Sequence, residues 1–404
     1  MRTRKGFALL AGALALTLVA AACGDDDDSG SSDTTVAAAT TAGAGTTAAG
    51  ATTSAGGSAG TGGSADTTSG SGGGGAMDID YGSLSGTLDG SGATFPKAFY
   101  EEAIFAFSEE AADVTVNYAG GGSGKGRQDL ADQIVDWAGT DSPVKDEDLG
   151  TYKGGDILHF PTVVAPITVS FNVPDHDEIN LDCATIAGMF QGTITNWNDP
   201  AIAALNDGES FPDLEVTPAV RSDSSGTTDN FSKFLNAACG EGGDGTWALK
   251  SGSTIEWPQG VSAGNGNAGV AQIVSSTPGA IGYVDLSDAK ASELTFASVE
   301  NKAGVFVAPT LAGASAAAAG AELKPNLTYS AVWADGKDAY PITAQTWIII
   351  YKDQTSADDG AAIQGFLNFI LTDGQDIAPE VDFAPLPDDI LQAAQAQLSE
   401  IVIP

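Results

Sequence analysis

The chain has 404 residues, with 16 Lys and Arg against 53 Asp and Glu, for a formal net charge of −37. That length admits about two to three domains. The charge argues against nucleic acid, whose phosphodiester backbone it would repel. It does not exclude a small anion, because salt screens exposed charges beyond about 10 Å and local donors in a closed site can still hold one. The acidity itself reads as solubility at a cell surface.

In chain order, Arg2, Arg4 and Lys5 form a basic start, and Phe7 to Val19 is an apolar run of 13 residues. A span needs about 20 residues, so this run is too short to cross a membrane. It ends in Ala20-Ala21-Ala22-Cys23, followed by Gly24 and four aspartates. The pattern resembles a bacterial lipoprotein signal, so residues 1–23 are expected to be a signal peptide with Cys23 the lipidated residue. Plain secretion is the other option. Residues 24–76 are Gly, Ser, Thr, Ala and Asp with a single Val36. Such a stretch has no apolar surface to offset the entropy of ordering and is expected to be a disordered tether.

From there the pattern alternates. Leu84 to Leu88 reads as a strand and Asp89-Gly90-Ser91-Gly92 as a turn. A helix follows, with Thr94 placed to cap it, Pro96 in the first turn, and Phe99, Ala103, Ile104 and Phe107 on one face. Val114 to Tyr118 is a strand running into a glycine loop, and the next helix carries Leu130 and Ile134. Trp137 to Thr140 is a short strand reaching Asp141. Val163 to Val173 is a strong strand, Cys183 to Phe190 a helix, and Glu215 to Val220 a strand. A helix with Phe231, Phe234 and Leu235 together comes next. Ala280 to Val284 and Thr346 to Tyr351 read as strands, Ala361 to Leu371 and Asp388 to Ser399 as helices. The Ala-rich stretch 312–321 fits either a helix or a loose segment. Strands alternating with helices at this spacing predict α/β domains with a mostly parallel sheet.

With Cys23 assigned to lipid, Cys183 and Cys239 remain in an oxidising compartment, as a disulfide or as two free thiols. His159 and His176 have no Cys or carboxylate at metal-ligand spacing, so no metal or other cofactor is expected.

Three places share one design, in which a strand ends, a Gly/Ser/Thr turn follows and a helix begins. They are Ser91-Gly92-Ala93-Thr94-Phe95, Gly122-Ser123-Gly124 and Ser225-Gly226-Thr227. A helix start offers free N–H groups and the positive end of the macrodipole, which suits an anion. One such turn is an ordinary capped helix; the recurrence is what points to a ligand. Walker A fails because Ala119 stands where its first glycine belongs, and G-x-S-x-G fails at Lys125. A serine nucleophile would need a histidine, and neither histidine lies in a motif.

Gly90 to Pro96, Tyr118 to Gly126, Asp141-Ser142-Pro143 and Arg221 to Thr227 together resemble the substrate-binding protein of the phosphate ABC transporter, the PstS family. So do Phe160 to Val163, Ile194 to Trp197, Pro278 to Val284 and Tyr340 to Thr343, in the family's order from about Leu84 onward. The resemblance implies a phosphate site. Thr94 would give its hydroxyl, Phe95 its N–H, and Ser123 similar donors. Arg221, held by Asp223, would supply the positive charge, and Ser225, Gly226 and Thr227 the rest of the cradle. Asp141 would select, because its carboxylate can accept from a protonated phosphate oxygen and sulfate carries no proton. Lys125 departs from the family's small or polar residue and either adds a second cation near the mouth or, the favoured reading, faces solvent.

The family fold is a two-lobed, hinged periplasmic-binding-protein fold, with residues 84–164 plus 345–404 in lobe I and 165–344 in lobe II. The hinge would lie near Pro161 to Pro166 and Tyr340 to Thr346. The implied role is capture of inorganic phosphate and delivery to permease subunits by a monomer. It would sit lipid-anchored on the outer face of the bacterial cell membrane, or be secreted or periplasmic, and touch the membrane through its lipid only. Another oxyanion (sulfate, molybdate or a phosphonate) is the alternative ligand. A surface phosphatase would need a nucleophile or metal cluster that the sequence lacks, so no enzyme activity is expected.

Overall fold

A computed structural model describes residues 75–404 apart from Gly242 and Asp244. The expected signal peptide, Cys23 and nearly all of the expected tether lie outside the described residues.

The elements follow in order: β1 (Gly86–Gly92), α1 (Lys97–Glu110), β2 (Val114–Gly120), α2 (Ser123–Ala131), β3 (Trp137–Thr140), β4 (Ile157–Phe171) and β5 (Asn180–Leu181). Next come α3 (Cys183–Gln191), α4 (Pro200–Leu205), β6 (Thr217–Arg221), α5 (Gly226–Cys239), β7 (Ser262–Gly264), α6 (Gly266–Ser276), β8 (Ala280–Asp285) and α7 (Leu286–Ala291). The last are β9 (Thr295–Phe296), β10 (Ser298–Glu300), β11 (Phe306–Val307), α8 (Leu311–Ala318), β12 (Thr343–Tyr351), α9 (Ala357–Ile370), α10 (Asp373–Ile377) and α11 (Asp388–Gln397).

One sheet runs β2-β1-β3-β12-β4-β8-β6-β7, with β9 added beside β4. Its two ends are parallel, β1 with β2 and β3 and β6 with β7 and β8. Its middle is not: β12 runs antiparallel to β3 and β4, and β4 antiparallel to β8 and β9. The sheet is therefore mixed rather than mostly parallel. The antiparallel strands are the ones that carry the chain between the two parallel ends. β4 does this with 15 residues, pairing β12 through Ile157–Pro166 and β8 through Ile167–Phe171. Every residue of β12 and all but the first of β4 are buried, as a strand covered on both faces requires.

The helices follow the apolar periodicity with local departures. On α1, Phe99, Tyr100, Ala103 and Phe107 are buried, and Ile104 is half-buried against the same core. Leu130 is buried, but α2 ends at Ala131 and Ile134 is 66% exposed. Gln133 has φ 59°, which turns the chain off the helical face before Ile134 is reached. The Ala-rich stretch is helical as α8, with Thr310 accepting from the Gly313 N–H as its cap. No helix among the described residues is long and apolar enough to cross a membrane.

Cys183 opens α3 and Cys239 closes α5, and the two are joined by a disulfide with Cα atoms 5.9 Å apart. The closed loop has a sequence separation of 56, for which chain entropy corresponds to about 4 kcal/mol of stability. A Cys183→Ala/Cys239→Ala variant is therefore expected to unfold at lower urea, with stability reduced by about 2–4 kcal/mol. Equal midpoints for the oxidised protein and the variant would show that this loop is already restrained in the unfolded chain.

Candidate functional site

The sheet and its turns bring the start of α2, the loop before α1, the loop after β3 and the start of α5 to one place. β1 ends at Gly92, whose φ of 136° suits glycine, and the Gly92 carbonyl accepts from the N–H groups of Gly121 and Gly122 at 2.9 Å each. That contact holds the loops before α1 and α2 side by side. A Cβ on Gly92 would lie 2.1 Å from the Gly139 carbonyl oxygen, so no side chain fits there.

Thr94 does not cap α1 through its side chain. The helix begins at Lys97 after Pro96, and the Thr94 hydroxyl oxygen accepts instead from the Asn267 N–H at 3.2 Å. Ser123, fully buried at the start of α2, donates its hydroxyl to Asp141 Oδ2 at 3.2 Å and accepts from the Asp141 N–H at 3.1 Å. Thr346 Oγ1 donates to Asp141 Oδ1 at 2.7 Å. Thr346 lies where the β12–β4 register slips, between Gln345 and Trp347, an irregularity of the kind that re-aims a side chain. Asn230 on α5 donates to the Asp141 carbonyl at 2.8 Å, so this acid is tied to elements from both ends of the sheet.

Asp141 is 1% exposed. Burial pushes its carboxyl up to about 7, against the pull of the Thr346 and Ser123 hydroxyls and the charges of Arg221 and Arg127. Arg221 stands at the end of β6 with its side chain 1% exposed. Its Nε and Nη2 donate to the two oxygens of Asp223, at 2.9 and 2.5 Å, a bidentate fork. Burial works against the Asp223 carboxylate, but Arg221 and the Gly266 N–H hold it below the usual carboxylate range.

Ser225 caps α5, accepting from the Thr228 N–H at 3.1 Å. Thr227 Oγ1 accepts from Arg221 Nη1 at 3.2 Å. A Cβ on Gly226 would meet Ser123 Oγ at 2.4 Å and Asp141 Oδ2 at 2.6 Å, so the start of α5 lies directly against the carboxylate. The N–H groups of Phe95, Ser123, Gly226 and Thr227 find no acceptor among the described residues, which makes this a concentration of free donors. Two of the three turns touch directly, where the Gly124 N–H donates to the Ser224 carbonyl at 3.0 Å.

Ser123, Asp141 and Gly226 lie in contact, Arg221 bonds Asp223 and Thr227, and Asn267 links Arg221 to Thr94, with Phe95 and Ser225 adjacent in the chain. Lys125 does not join them; it is exposed and pairs with Asp129 at 2.5 Å, one turn along α2. Thr346, Asn230 and Asn267 were not foreseen. Asn267 had a visible signal, since Gly264-Asn265-Gly266-Asn267 is a fourth strand–glycine turn–helix junction, between β7 and α6. Among the described residues, no group of three or more His, Cys, Asp or Glu is placed to hold a metal ion.

A sheet whose two ends are linked by crossing strands, with helix starts from both ends facing one buried acid and one buried arginine, defines the class of two-lobed periplasmic binding proteins. A family model described as a PBP superfamily domain matches residues 82–374. The phosphate-binding protein PstS of Pasteurella multocida is 33% identical over 315 residues, 77% of this chain and 89% of that protein. Its namesake from Methanocaldococcus jannaschii is 34% identical over 328 residues, 74% of this chain and 82% of the relative. Among solved structures, a phosphate-binding protein from Stenotrophomonas maltophilia superposes with a TM-score of 0.62 at 21% identity, covering 78% of this chain and 94% of that one. A high-affinity periplasmic phosphate-binding protein bound with phosphate gives 0.64 at 22% identity, over 77% and 94%. The chain belongs to the PBP superfamily and, within it, to the phosphate-binding protein PstS family.

The Asp141 carboxyl carries a pH signature of its own. Its folded value of about 7 lies above the ordinary 3.8, so between those limits the folded protein binds a proton that the unfolded chain does not. Its contribution to stability is full below about pH 4 and lost as pH rises through about 7. Ligand-free wild type is expected to lose stability relative to Asp141→Asn over that window, by on the order of 3–4 kcal/mol at most. Parallel pH profiles of urea unfolding for the two proteins would contradict this.

Proposed function

We propose that this protein binds inorganic phosphate at high affinity outside the cell and delivers it to an ABC importer, without covalent chemistry. The observation that carries the reading is the placement of one buried carboxyl, Asp141, and one buried guanidinium, Arg221, around the same set of helix starts. Relatives that are 33–34% identical over most of the chain bear the name phosphate-binding protein PstS, which supports the ligand.

In this reading the Phe95, Ser123, Gly226 and Thr227 N–H groups and the Thr94, Ser123, Ser225 and Thr227 hydroxyls surround the phosphate oxygens. Arg221 supplies the charge, and Asp223 keeps its planar fork in place. The helix starts add partial positive charge in a site that excludes water, where it counts for more than on the surface. Asp141 reads the ligand's proton: a phosphate oxygen bearing hydrogen donates to the carboxylate, whereas a fully deprotonated oxyanion meets it as a like charge. Residues 84–164 plus 345–404 form one lobe and 165–344 the other. Closure is a shift of an open–closed equilibrium that bound ligand draws to the closed form, which the permease recognises. Cys23 carries the lipid that keeps the protein at the outer face of the membrane, and residues 24–76 give it reach.

Calorimetric titration of protein freed of bound ligand by unfolding and refolding tests the reading. Phosphate is expected to bind at submicromolar concentration and sulfate at least about a hundredfold more weakly at pH 8, a contrast of the size that one unpaired buried acceptor gives. Asp141→Asn is expected to reduce that contrast to below about tenfold. Because protonated Asp141 can donate to sulfate, the contrast is also expected to shrink as pH falls below about 7. A folded, ligand-free protein that gives no heat with phosphate would sink the assignment.

A further inference from the structure

The Arg221 guanidinium has five N–H donors, and four hydrogen bonds to protein acceptors engage them. Two go to Asp223, and Nη1 gives one to Thr227 and one, at 2.7 Å, to Asn267 Oδ1. Asn267, fully buried at the start of α6, is itself held at two further points. Its Nδ2 donates to Asp285 Oδ2 at 2.7 Å, and its backbone N–H donates to Thr94 Oγ1 at 3.2 Å.

Asp285 is 1% exposed and ends β8. Its Oδ1 caps α7 by accepting from the Asp288 N–H at 2.9 Å. A cap needs only one oxygen, and Ser or Asn would serve. The second oxygen has a separate consequence: it fixes which way the Asn267 amide faces. Asp285 takes the NH2 end while the donor-only guanidinium of Arg221 takes the carbonyl end, so the amide is held from both sides. Asp285 also borders a cavity of about 320 Å³ shared with Thr94, Lys97, Glu101, Asn267 and Asp288. Burial and the neighbouring Asp288 carboxyl both raise its pKa well above the ordinary carboxylate value, so a residue chosen only to cap α7 would be a costly one here.

The geometry points to an Asp285–Asn267 relay as the device that sets the Arg221 fork and, through the Asn267 N–H to Thr94, ties that setting to the approach of the α1 loop. This deepens the phosphate reading and rests on it. Both residues are positioning residues. Asn267 takes one Nη1 hydrogen out of play and leaves an Nη2 hydrogen as the donor free for ligand. Without it that Nη1 hydrogen is left without its acceptor, beside the Asp223 fork, and competes with the Nη2 hydrogen for the ligand.

The test is a double-mutant cycle on the full chain, read by phosphate titration and by phosphate release in stopped flow. Asn267→Ala is expected to weaken phosphate about 10-fold to 100-fold, mostly through faster release. Asp285→Asn, which keeps the cap, is expected to weaken it about 3-fold to 10-fold, because the new amide lets Asn267 turn over. Asp285→Ser, which also caps but offers Asn267 a different acceptor, guards against a fold defect and is expected to behave similarly with the thermal midpoint of its apo form near wild type.

In the Arg221→Lys background, Asn267→Ala is expected to add less than about 3-fold, because the group it positions has gone. Full additivity of the two changes, or an Asn267→Ala protein that binds phosphate within about 2-fold of wild type, overturns the relay and leaves the phosphate reading standing. A wild-type protein that binds no phosphate overturns both.

Discussion

A guanidinium with 1% of its side chain exposed must be met by protein acceptors, because each N–H left without a partner in the interior costs about as much as a lost hydrogen bond or more. Arg221 meets that demand with Asp223 two residues on, Thr227 in the first turn of α5, and Asn267 in the first turn of α6. Those acceptors belong to the β6–α5 turn and helix start and to the start of α6 after β7, so satisfying one side chain fixes how two neighbouring junctions sit. Removing one partner of such a buried pair typically costs about 3–5 kcal/mol, whereas an apolar replacement of the whole group could be neutral. Stability alone therefore does not account for an arginine here.

The buried carboxyl of Asp141 is the counterpart. Among the described residues its solvation is replaced by two hydroxyls, from Ser123 and Thr346, and burial outweighs them and the Arg221 charge together. The result is a group that changes protonation near neutrality beside a group that never does. A purely anionic ligand would suit Arg221 and the helix starts but not an ionised Asp141. A ligand that is anionic and also carries a proton suits all of them. The chain's net charge of −37 is no obstacle, since surface carboxylates act through screened solvent while these groups act at contact distance.

How far the sequence reveals this site depends on how local each contribution is. The junctions β1–α1, β2–α2 and β6–α5 were legible because strand, glycine turn and helix start follow within a few residues, and the matching stretches resemble one family. Asn267 had the same local grammar and was passed over, because its Gly-Asn-Gly-Asn turn lacks the hydroxyls that mark the other three. Thr346 and Asn230 could not be read this way. Their place depends on a register slip between β12 and β4 and on a contact between α5 and the loop after β3, both between residues far apart in the chain. The antiparallel middle of the sheet was misjudged for a related reason: a fully buried strand such as β4 has the same apolar run whichever way its neighbours point. Ile134 failed at shorter range, where a positive φ at Gln133 ended the helix that its spacing assumed.

The contacts that complete the site are also the contacts that bring the two ends of the sheet together. The Gly124 N–H meets the Ser224 carbonyl, Ser142 Oγ donates to Asp229 Oδ2 at 2.5 Å, Asn230 reaches the Asp141 carbonyl, and Asn267 reaches Thr94. Each pairs a group from the β1–β3 end with one from the β6–β7 end. In the same arrangement Ser123 and Asp141 lie directly against Gly226. The packing of the two ends of the sheet and the placement of Arg221 and Asp141 are therefore set by the same group of contacts.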